Sequence, residues 1–212
     1  MELFPKELAA YVENHTDKES ELLHQINRET HLHVLKPRML SGHLQGRVLS
    51  MFSHMMRPRR ILEIGTYTGY SALCMMEGMA ADGHLFTIDK NQELKERVAQ
   101  YFHDSGFQDK ISFLLGNAQE IIPSLSETWD MVFIDADKVN YSNYFDLVIE
   151  QTRPGGYIIA DNVLWSGKVV EDKVTDEDTE AIRAYNRKIH EDDRVAHVLL
   201  PVRDGLMMAR KK

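Results

Sequence analysis

Residues 61–73 read ILEIGTYTGYSAL, and this stretch decides the fold. It begins with a short aliphatic run, continues through a loop that contains Gly65 and Gly69, and ends in a segment of helical character. A strand followed by a glycine loop and a helix is the opening unit of a doubly wound α/β fold. Ligands of such folds lie at the carboxyl ends of the strands, so Glu63, Gly65 and Gly69 are candidate ligand contacts.

Four more apolar runs follow the first, and longer segments of helical character separate them. Strands that alternate with helices predict parallel crossover units. Short, continuously apolar strands predict a sheet that is covered on both faces. The five predicted strands are residues 61–64, 85–88, 111–115, 131–134 and 157–160.

The two ends of the chain differ from this pattern. The runs RVAHVLLPV and GLMMARKK flank Arg203 and Asp204, and two extended runs around an Asp-Gly turn predict an antiparallel hairpin. Residues 4–56 predict two or three helices, which precede the first strand and therefore cannot be crossover helices. We predict one α/β domain over residues 1–212, with a helical cap (1–58) and a Rossmann-like core (59–212) built on a seven-stranded, mostly parallel sheet.

Composition restricts the class of protein. The hydrophobic fraction of 43% and the charged fraction of 27% are those of a soluble globular protein. A net charge of −8 argues against a protein that binds nucleic acid chiefly by neutralising phosphates. The single cysteine, Cys74, excludes an internal disulfide, and no apolar run approaches the ~20 residues of a membrane span. The N-terminus lacks the pattern of a signal peptide, which predicts a cytoplasmic protein.

The glycine loop predicts a nucleoside ligand without a pyrophosphate. The dinucleotide fingerprint G-x-G-x-x-G is not met, because Tyr67 occupies the position of its second glycine. Asp89 ends the second predicted strand, where an acid can accept hydrogen bonds from two ribose hydroxyls. S-adenosylmethionine fits these features better than NAD, and carboxylates near the loop would favour its positive sulfonium.

Carboxylates also end the fourth and fifth predicted strands. Asp135 follows residues 131–134, and Asp161 and Asn162 follow residues 157–160. Charges near a core are costly unless they are compensated. Three oxygen ligands at one edge of the sheet suit a hard divalent cation, which would compensate them. We expect Mg²⁺, with Mn²⁺ or Ca²⁺ as alternatives.

Four motifs together resemble the cation-dependent O-methyltransferases of the caffeoyl-CoA and catechol group, and the small bacterial members most. The motifs are EIGTYTGYSAL, FIDADKVNY, IIADNVLWSGKVV and LLPVRDGLMMARKK. The resemblance implies the class I methyltransferase fold and a homodimer. It also implies methyl transfer from S-adenosylmethionine to one hydroxyl of a vicinal diol on a small aromatic acceptor. The chain departs from the plant caffeoyl-CoA enzymes at its N-terminus and at Ser166, where they carry Asn, which disfavours a coenzyme A ester.

The same resemblance implies roles for single residues. Asp135, Asp161 and Asn162 match the metal ligands, and Lys138 matches the general base, with Asp135 beside it as the second catalytic residue. Substrate contacts are implied for Lys138 and for Met39, Trp165 and Ser166.

Cofactor contacts follow from the resemblance as well. The backbone of Ala118 is expected to meet the adenine, Asp137 the amino end of the methionine moiety, and Ser41 its carboxylate end. The implied cofactor contacts are Ser41, Glu63, Gly65, Thr66, Ser71, Asp89, Ala118 and Asp137.

Three other functions remain open from the residues. A tRNA hydroxyuridine methyltransferase would need a basic surface, for which the composition offers little. An NAD-dependent oxidoreductase conflicts with Tyr67 in the glycine loop. A non-catalytic S-adenosylmethionine-binding module would have no need of Asp135, Lys138, Asp161 and Asn162.

Overall fold

The computed structural model describes residues 5–212 and contains strands and helices in alternation. The first four residues of the predicted helical cap lie outside the described part. The seven strands are β1 (Arg60–Ile64), β2 (His84–Asp89), β3 (Ile111–Leu115), β4 (Trp129–Ile134), β5 (Thr152–Asp161), β6 (Val195–Leu200) and β7 (Leu206–Lys211).

Eight α-helices connect or precede these strands within the described residues, and short 3₁₀ turns extend several of them. They are α1 (Lys6–Asn14), α2 (Glu21–His33), α3 (Gly42–Met56), α4 (Tyr70–Met76), α5 (Lys95–Asp104), α6 (Ala118–Ile121), α7 (Tyr141–Ile149) and α8 (Glu177–Glu191). The first three are the helices predicted before the first strand.

The strands form one sheet of order β3-β2-β1-β4-β5-β7-β6. Strands β2 and β3, β1 and β4, and β4 and β5 pair in parallel, whereas β7 is antiparallel to both β5 and β6. The predicted α/β class, the seven strands and the C-terminal hairpin are therefore confirmed.

Strand β5 begins five residues before the predicted strand, which started at Tyr157. Its first residue, Thr152, pairs with Trp129, but the next pairs join Met131 to Tyr157. The intervening residues bulge out of the ladder, and Gly155 supplies a left-handed conformation there (φ +78°). Glycines are typical both of helix ends and of bulges, so Gly155 and Gly156 alone do not distinguish a helix end from a bulge within a longer strand.

The described chain separates into two compact units. The C-terminal unit comprises Arg60–Gly65 and Ala118–Lys212, and the N-terminal unit comprises residues 5–59 and Thr66–Asn117. In the C-terminal unit the largest fully buried side chains are aromatic. They are Trp129, Phe133, Tyr141, Phe145 and Tyr185.

In the N-terminal unit, helices α3 and α4 pack closely. The guanidinium of Arg47 donates two 2.8 Å hydrogen bonds to the carboxylate of Glu77, and Ser50 donates a third at 2.5 Å. Gly46 lets the helices approach, because a Cβ atom there would lie 2.7 Å from the ring of Tyr70. The bidentate geometry makes this the strongest kind of ion pair available to the two helices.

The single domain with a helical cap stays a prediction. Within residues 5–212, no helix has the length and the apolar character that crossing a membrane requires.

Candidate active site

The ends of β4 and β5 bring the predicted metal ligands of the C-terminal unit together. These two strands are parallel and in register, with Ile134 opposite Ala160. Asp135 and Asp161 therefore leave the sheet side by side at its carboxyl edge. Asp161 is buried (2% exposed), which is rare for a carboxylate and requires compensation.

The ammonium of Lys138 lies between two of these predicted ligands. Its Nζ donates to Oδ1 of Asp135 at 3.1 Å, to Oδ1 of Asn162 at 2.9 Å and to the hydroxyl of Tyr141 at 2.5 Å. An ammonium has three N–H donors, so all three have an acceptor. Lys138 is only 7% exposed, and it is the first residue of a short 3₁₀ helix (Lys138–Asn140) that begins three residues after Asp135.

Asn162 adopts a left-handed backbone conformation (φ +58°) directly after β5. Asparagine tolerates this conformation better than most residues. Its backbone N–H donates to Oδ1 of Asp161 at 2.7 Å, while its side-chain oxygen accepts from Lys138. The turn thus points the amide oxygen of Asn162 toward the same group that Asp135 contacts.

The donor set fits a hard divalent cation. Oxygens of Asp135 and Asn162 already converge on one positive group, and Asp161 adds a second carboxylate beside them. Carboxylate and amide oxygens are ligands that Mg²⁺ and Ca²⁺ prefer. Residues 5–212 contain no group of three or more His, Cys, Asp or Glu side chains placed to hold a metal ion. The predicted set differs from such a group in that its third ligand is the amide oxygen of Asn162.

Tyr141 is a residue of this site that the sequence analysis did not assign. It is fully buried, accepts from Lys138, and donates to the carbonyl oxygen of Asp161 at 3.0 Å. Burial raises the pKa of Tyr141 well above its usual value, and the negative charges of Asp135 and Asp161 add to this effect. The sequence gives one indication that Tyr141 lies near the site, which is its position three residues after Lys138 in KVNY.

Gly65 is required where β1 meets β4. The backbone N–H of Asp135 donates to the carbonyl of Ile64 at 2.9 Å, and Gly65 then turns away with φ +104°. A Cβ atom at Gly65 would lie 1.9 Å from the carbonyl oxygen of Asp135. Any side chain here would therefore displace the backbone that carries Asp135.

Asp137, a predicted cofactor contact, is held by two neighbours. The hydroxyl of Tyr144 donates to its Oδ1 at 2.6 Å, and the side-chain amide of Asn140 donates to its Oδ2. Gln119 in turn donates to Oδ1 of Asn140 at 2.5 Å. Burial and the hydrogen bond to Asp137 raise the pKa of Tyr144, so this hydroxyl stays a donor. Tyr144, Asn140 and Gln119 were not predicted.

The loop after Asn162 carries the predicted substrate contacts Trp165 and Ser166. Both have positive φ values (48° and 55°), and Ser166 is exposed. The β6–β7 turn holds this loop, because Asp204 accepts from the N–H of Ser166 at 2.6 Å through its side chain and from Leu164 at 2.9 Å through its carbonyl. The ring of Trp165 lies 5.7 Å from the ammonium of Lys138, within cation–π range.

In the N-terminal unit, the glycine loop and the end of β2 are joined. The carboxylate of half-buried Asp89 accepts from the N–H of Tyr67 at 2.7 Å and from the N–H of Asn91 at 2.8 Å, one on each oxygen. The hydroxyl of buried Thr66 contacts that of Thr87 at 2.5 Å. Each oxygen of Asp89 thus has one backbone donor and keeps further acceptor capacity for a ligand.

The remaining predicted contacts are distributed over both units. In the N-terminal unit, Ser41 (4% exposed) precedes α3, Ser71 (7%) lies on α4, and Met39 is 54% exposed in a short 3₁₀ helix. In the C-terminal unit, Glu63 is fully buried in β1 and Ala118 begins α6. The roles of these residues stay predictions.

Comparison with known proteins places these observations in a family. The sequence pattern of the O-methyltransferase family matches residues 13–212. A caffeoyl-CoA O-methyltransferase of Stellaria longipes is 31% identical over 205 residues, which cover 92% of this chain and 85% of that protein. A probable caffeoyl-CoA O-methyltransferase of Dictyostelium discoideum is also 31% identical, over 95% of this chain and 90% of the relative.

Solved structures agree with this. TomG of Streptomyces achromogenes, an O-methyltransferase involved in tomaymycin synthesis and solved with SAM, superposes with a TM-score of 0.89 at 26% identity, over 97% of this chain and 96% of TomG. An O-methyltransferase of Bacillus cereus in complex with SAH gives 0.90 at 26% identity, over 97% of both chains. The resemblance seen in the four sequence motifs is thereby confirmed, and the chain belongs to the O-methyltransferase family.

Proposed function

We propose that this chain transfers a methyl group from S-adenosylmethionine to one hydroxyl of a catechol-like aromatic acceptor, with the help of a divalent cation. The observation that carries the proposal is the position of Lys138, whose Nζ contacts Asp135 and Asn162 at the ends of two parallel strands. Methylation of a weakly acidic diol requires a base that takes the hydroxyl proton and benefits from a cation that lowers the pKa of that hydroxyl. Lys138 and the oxygen ligands beside it would provide both.

Support for the methyl donor comes from two sources. The structures of TomG and of the Bacillus cereus enzyme were solved with SAM and SAH, respectively. In this chain, Asp89 is oriented by the backbone N–H groups of Tyr67 and Asn91, and it ends β2, where a ribose is bound in sheets of this type.

Asp135, Asp161 and Asn162 would hold the cation. When bound, it would supply Lewis-acid chemistry that lowers the pKa of the acceptor hydroxyl. A phenolic hydroxyl otherwise titrates near ~10 and is a poor nucleophile at neutral pH. Ligands contributed by rigid strand ends also fix where the acceptor lies, and orientation is a large part of the rate enhancement of a displacement reaction.

Lys138 would accept the proton. The acceptor oxygen forms a bond to the methyl carbon, the bond between that carbon and sulfur breaks, and the sulfonium becomes a neutral thioether. The hydroxyl proton passes to Nζ of Lys138, which must be neutral at that moment. Its hydrogen bonds to Asp135 and Asn162, at 3.1 and 2.9 Å, support this role, because they bring the amine into contact with two of the predicted ligands.

The acceptor is proposed as a vicinal diol on a small aromatic ring. The relatives named caffeoyl-CoA O-methyltransferases suggest the same diol on a larger ester. Trp165 offers an aromatic face next to Lys138, and exposed Ser166 leaves the loop open to solvent. A homodimer is expected from the family likeness.

A methyl-transfer assay over a panel of acceptors tests this function. Catechol, protocatechuate, caffeate, caffeoyl-CoA and tRNA that carries hydroxyuridine would each be incubated with labelled S-adenosylmethionine and Mg²⁺, and the products identified by mass spectrometry. We expect methylation of at least one catechol. Transfer to the tRNA alone would replace the small acceptor by a nucleic acid, and binding of S-adenosylmethionine without any transfer would contradict an enzymatic role.

Replacing Asp89 should weaken binding of S-adenosylmethionine. Asp89→Ala removes an acceptor worth about 1.5–3 kcal/mol, the usual range for a hydrogen bond to a charged group, which corresponds to roughly 10- to 150-fold in Kd. Isothermal titration calorimetry would measure the change.

Asp82→Ala is the matched control, because Asp82 is an exposed acid of the same unit that pairs with Arg59 at 3.3 Å. It should leave the Kd for S-adenosylmethionine unchanged. Mg²⁺ affinity should stay near the native value in both variants. Equal cofactor binding by native protein and Asp89→Ala would mean that Asp89 serves only to hold the loop of Tyr67.

A further inference from the structure

Lys138 has one hydrogen-bond partner that does not belong to the proposed ligand set. Asp135 and Asn162 supply the oxygens that we assign to the cation, whereas the hydroxyl of Tyr141 does not. We propose that Tyr141 is a positioning residue, which holds the nitrogen of Lys138 in place and aims its lone pair at the acceptor hydroxyl. This inference rests on the proposed function.

The contact between the two residues is close and buried. Nζ of Lys138 lies 2.5 Å from the hydroxyl oxygen of Tyr141 and 4.7 Å from the centre of its ring. Lys138 is 7% exposed and Tyr141 is fully buried. Hydrogen bonds in such surroundings are not weakened by competing water, so the hydroxyl fixes the end of an otherwise flexible side chain.

Tyr141 is itself held from two sides. It is the first residue of α7, and its ring packs edge to face against the ring of Tyr185 on α8, with centroids 5.5 Å apart. Its hydroxyl is 3.0 Å from the carbonyl oxygen of Asp161, at the end of β5. The hydroxyl is therefore tied to the same strand end that carries the predicted ligand carboxylate.

Whether the hydroxyl of Tyr141 donates to Lys138 or accepts from it determines whether the lysine can act as a base. A tyrosine hydroxyl has one proton, and the carbonyl of Asp161 can only accept it. Toward Lys138 the hydroxyl oxygen is consequently an acceptor and takes one N–H. A neutral amine that donates to Tyr141 keeps its lone pair free for the proton of the acceptor hydroxyl. If the hydroxyl donated to Lys138 instead, it would occupy the lone pair that a base needs.

The hydroxyl of Tyr141 would also remain a hydrogen-bond partner of Lys138 when a cation binds to Asp135 and Asn162. A cation bound by Asp135 and Asn162 would use the oxygens that Lys138 contacts at 3.1 and 2.9 Å. The hydrogen bond to Tyr141 does not compete with such ligation. It is the contact of the three that is expected in both the metal-free and the metal-bound protein.

Tyr141→Phe, with turnover on a catechol as the readout, tests the proposal. We expect kcat to fall by about tenfold, the effect of losing one hydrogen bond of ordinary strength. The KM for the catechol and the Kd for S-adenosylmethionine should stay near the native values. Tyr185→Phe is the matched control, because its buried hydroxyl has no hydrogen-bond partner among residues 5–212, and it should keep native turnover.

A double-mutant cycle separates positioning from a merely structural role. In a Lys138→Met background, measured on a nitro-substituted catechol so that residual turnover is detectable, Tyr141→Phe should cause no further loss. The same tenfold loss in both backgrounds would overturn the proposal, since Tyr141 would then act without Lys138. Absence of turnover by the native protein on every acceptor would instead contradict the proposed function.

A crystal structure of the native protein with Mg²⁺ and S-adenosylhomocysteine gives a test that needs no variant. We expect Nζ of Lys138 to remain within hydrogen-bonding distance of the hydroxyl of Tyr141 and to have left the oxygens of Asp135 and Asn162. A lysine that has swung away from Tyr141 in this complex would overturn the proposal, whatever the variants show.

Discussion

Lys138→Met is expected to lower kcat on catechol by about 10²–10⁴, the usual contribution of a general base. Methionine keeps the aliphatic stem of a side chain that is only 7% exposed, so packing is largely preserved. Steady-state kinetics with saturating S-adenosylmethionine and Mg²⁺ would measure the effect. Cofactor affinity should hardly change, and Mg²⁺ should bind at least as tightly, because a positive group leaves the oxygens of Asp135 and Asn162.

Acceptors of different acidity distinguish a base from a binding group. A nitro-substituted catechol has a more acidic hydroxyl, needs less help in losing its proton, and should lose less turnover in Lys138→Met than catechol does. An equal loss on both acceptors would mean that Lys138 orients the substrate rather than taking its proton. Lys188→Met, which removes a lysine paired with Asp146 at 2.7 Å in the same unit, is the control and should retain native turnover.

Removal of divalent cations is expected to have the other large effect, a fall in turnover of at least about 10³. Metal ions of this kind stabilise transition-state charge by several kcal/mol. Chelation followed by stepwise addition of Mg²⁺, Mn²⁺ or Ca²⁺ would measure loss and recovery.

Calorimetry provides the control for this experiment. The chelated protein should still bind S-adenosylmethionine, because Asp89 and the glycine loop do not belong to the ligand set. Asp161→Asn should bind Mg²⁺ more weakly and should not recover at cation concentrations that restore the native protein. Native turnover at a metal content verified as nil would contradict the assignment of Asp135, Asp161 and Asn162 as cation ligands.

The strands were predictable because each is a continuous apolar run, which a sheet covered on both faces requires. The hairpin was predictable from its turn, and β3 was predicted with its observed bounds, Ile111–Leu115. The start of β5 was not, since Pro154 and the glycines after it lie in a bulge whose pairing depends on Trp129 of the neighbouring strand. The sequence around Thr152 does not indicate that this residue pairs with Trp129.

In the candidate site, too, the features encoded in local sequence were predictable, and those that depend on distant residues were not. Asp135 and Asn162 could be predicted to meet, because parallel strands bring their carboxyl ends to one edge. The role of Tyr141 could not, since it depends on a 3₁₀ turn after which the hydroxyl of Tyr141 meets both Nζ of Lys138 and the carbonyl of Asp161. The support of Ser166 by Asp204 joins residues 38 positions apart, and no pattern within either segment indicates it.

The contacts of Lys138 with Asp135 and Asn162 bear on whether the protein would need a bound cation in order to fold. Many small metal-binding domains are unfolded until their ion arrives, because the site rarely exists in the unfolded chain and the free energy of metal binding supplies the free energy of folding. Here a side chain of the chain itself supplies a positive charge at the strand ends. If Asp135, Asp161 and Asn162 hold the proposed cation, these contacts of Lys138 would let the strand ends fold before the cation binds, and a shortage of metal would then lower turnover rather than the amount of folded protein.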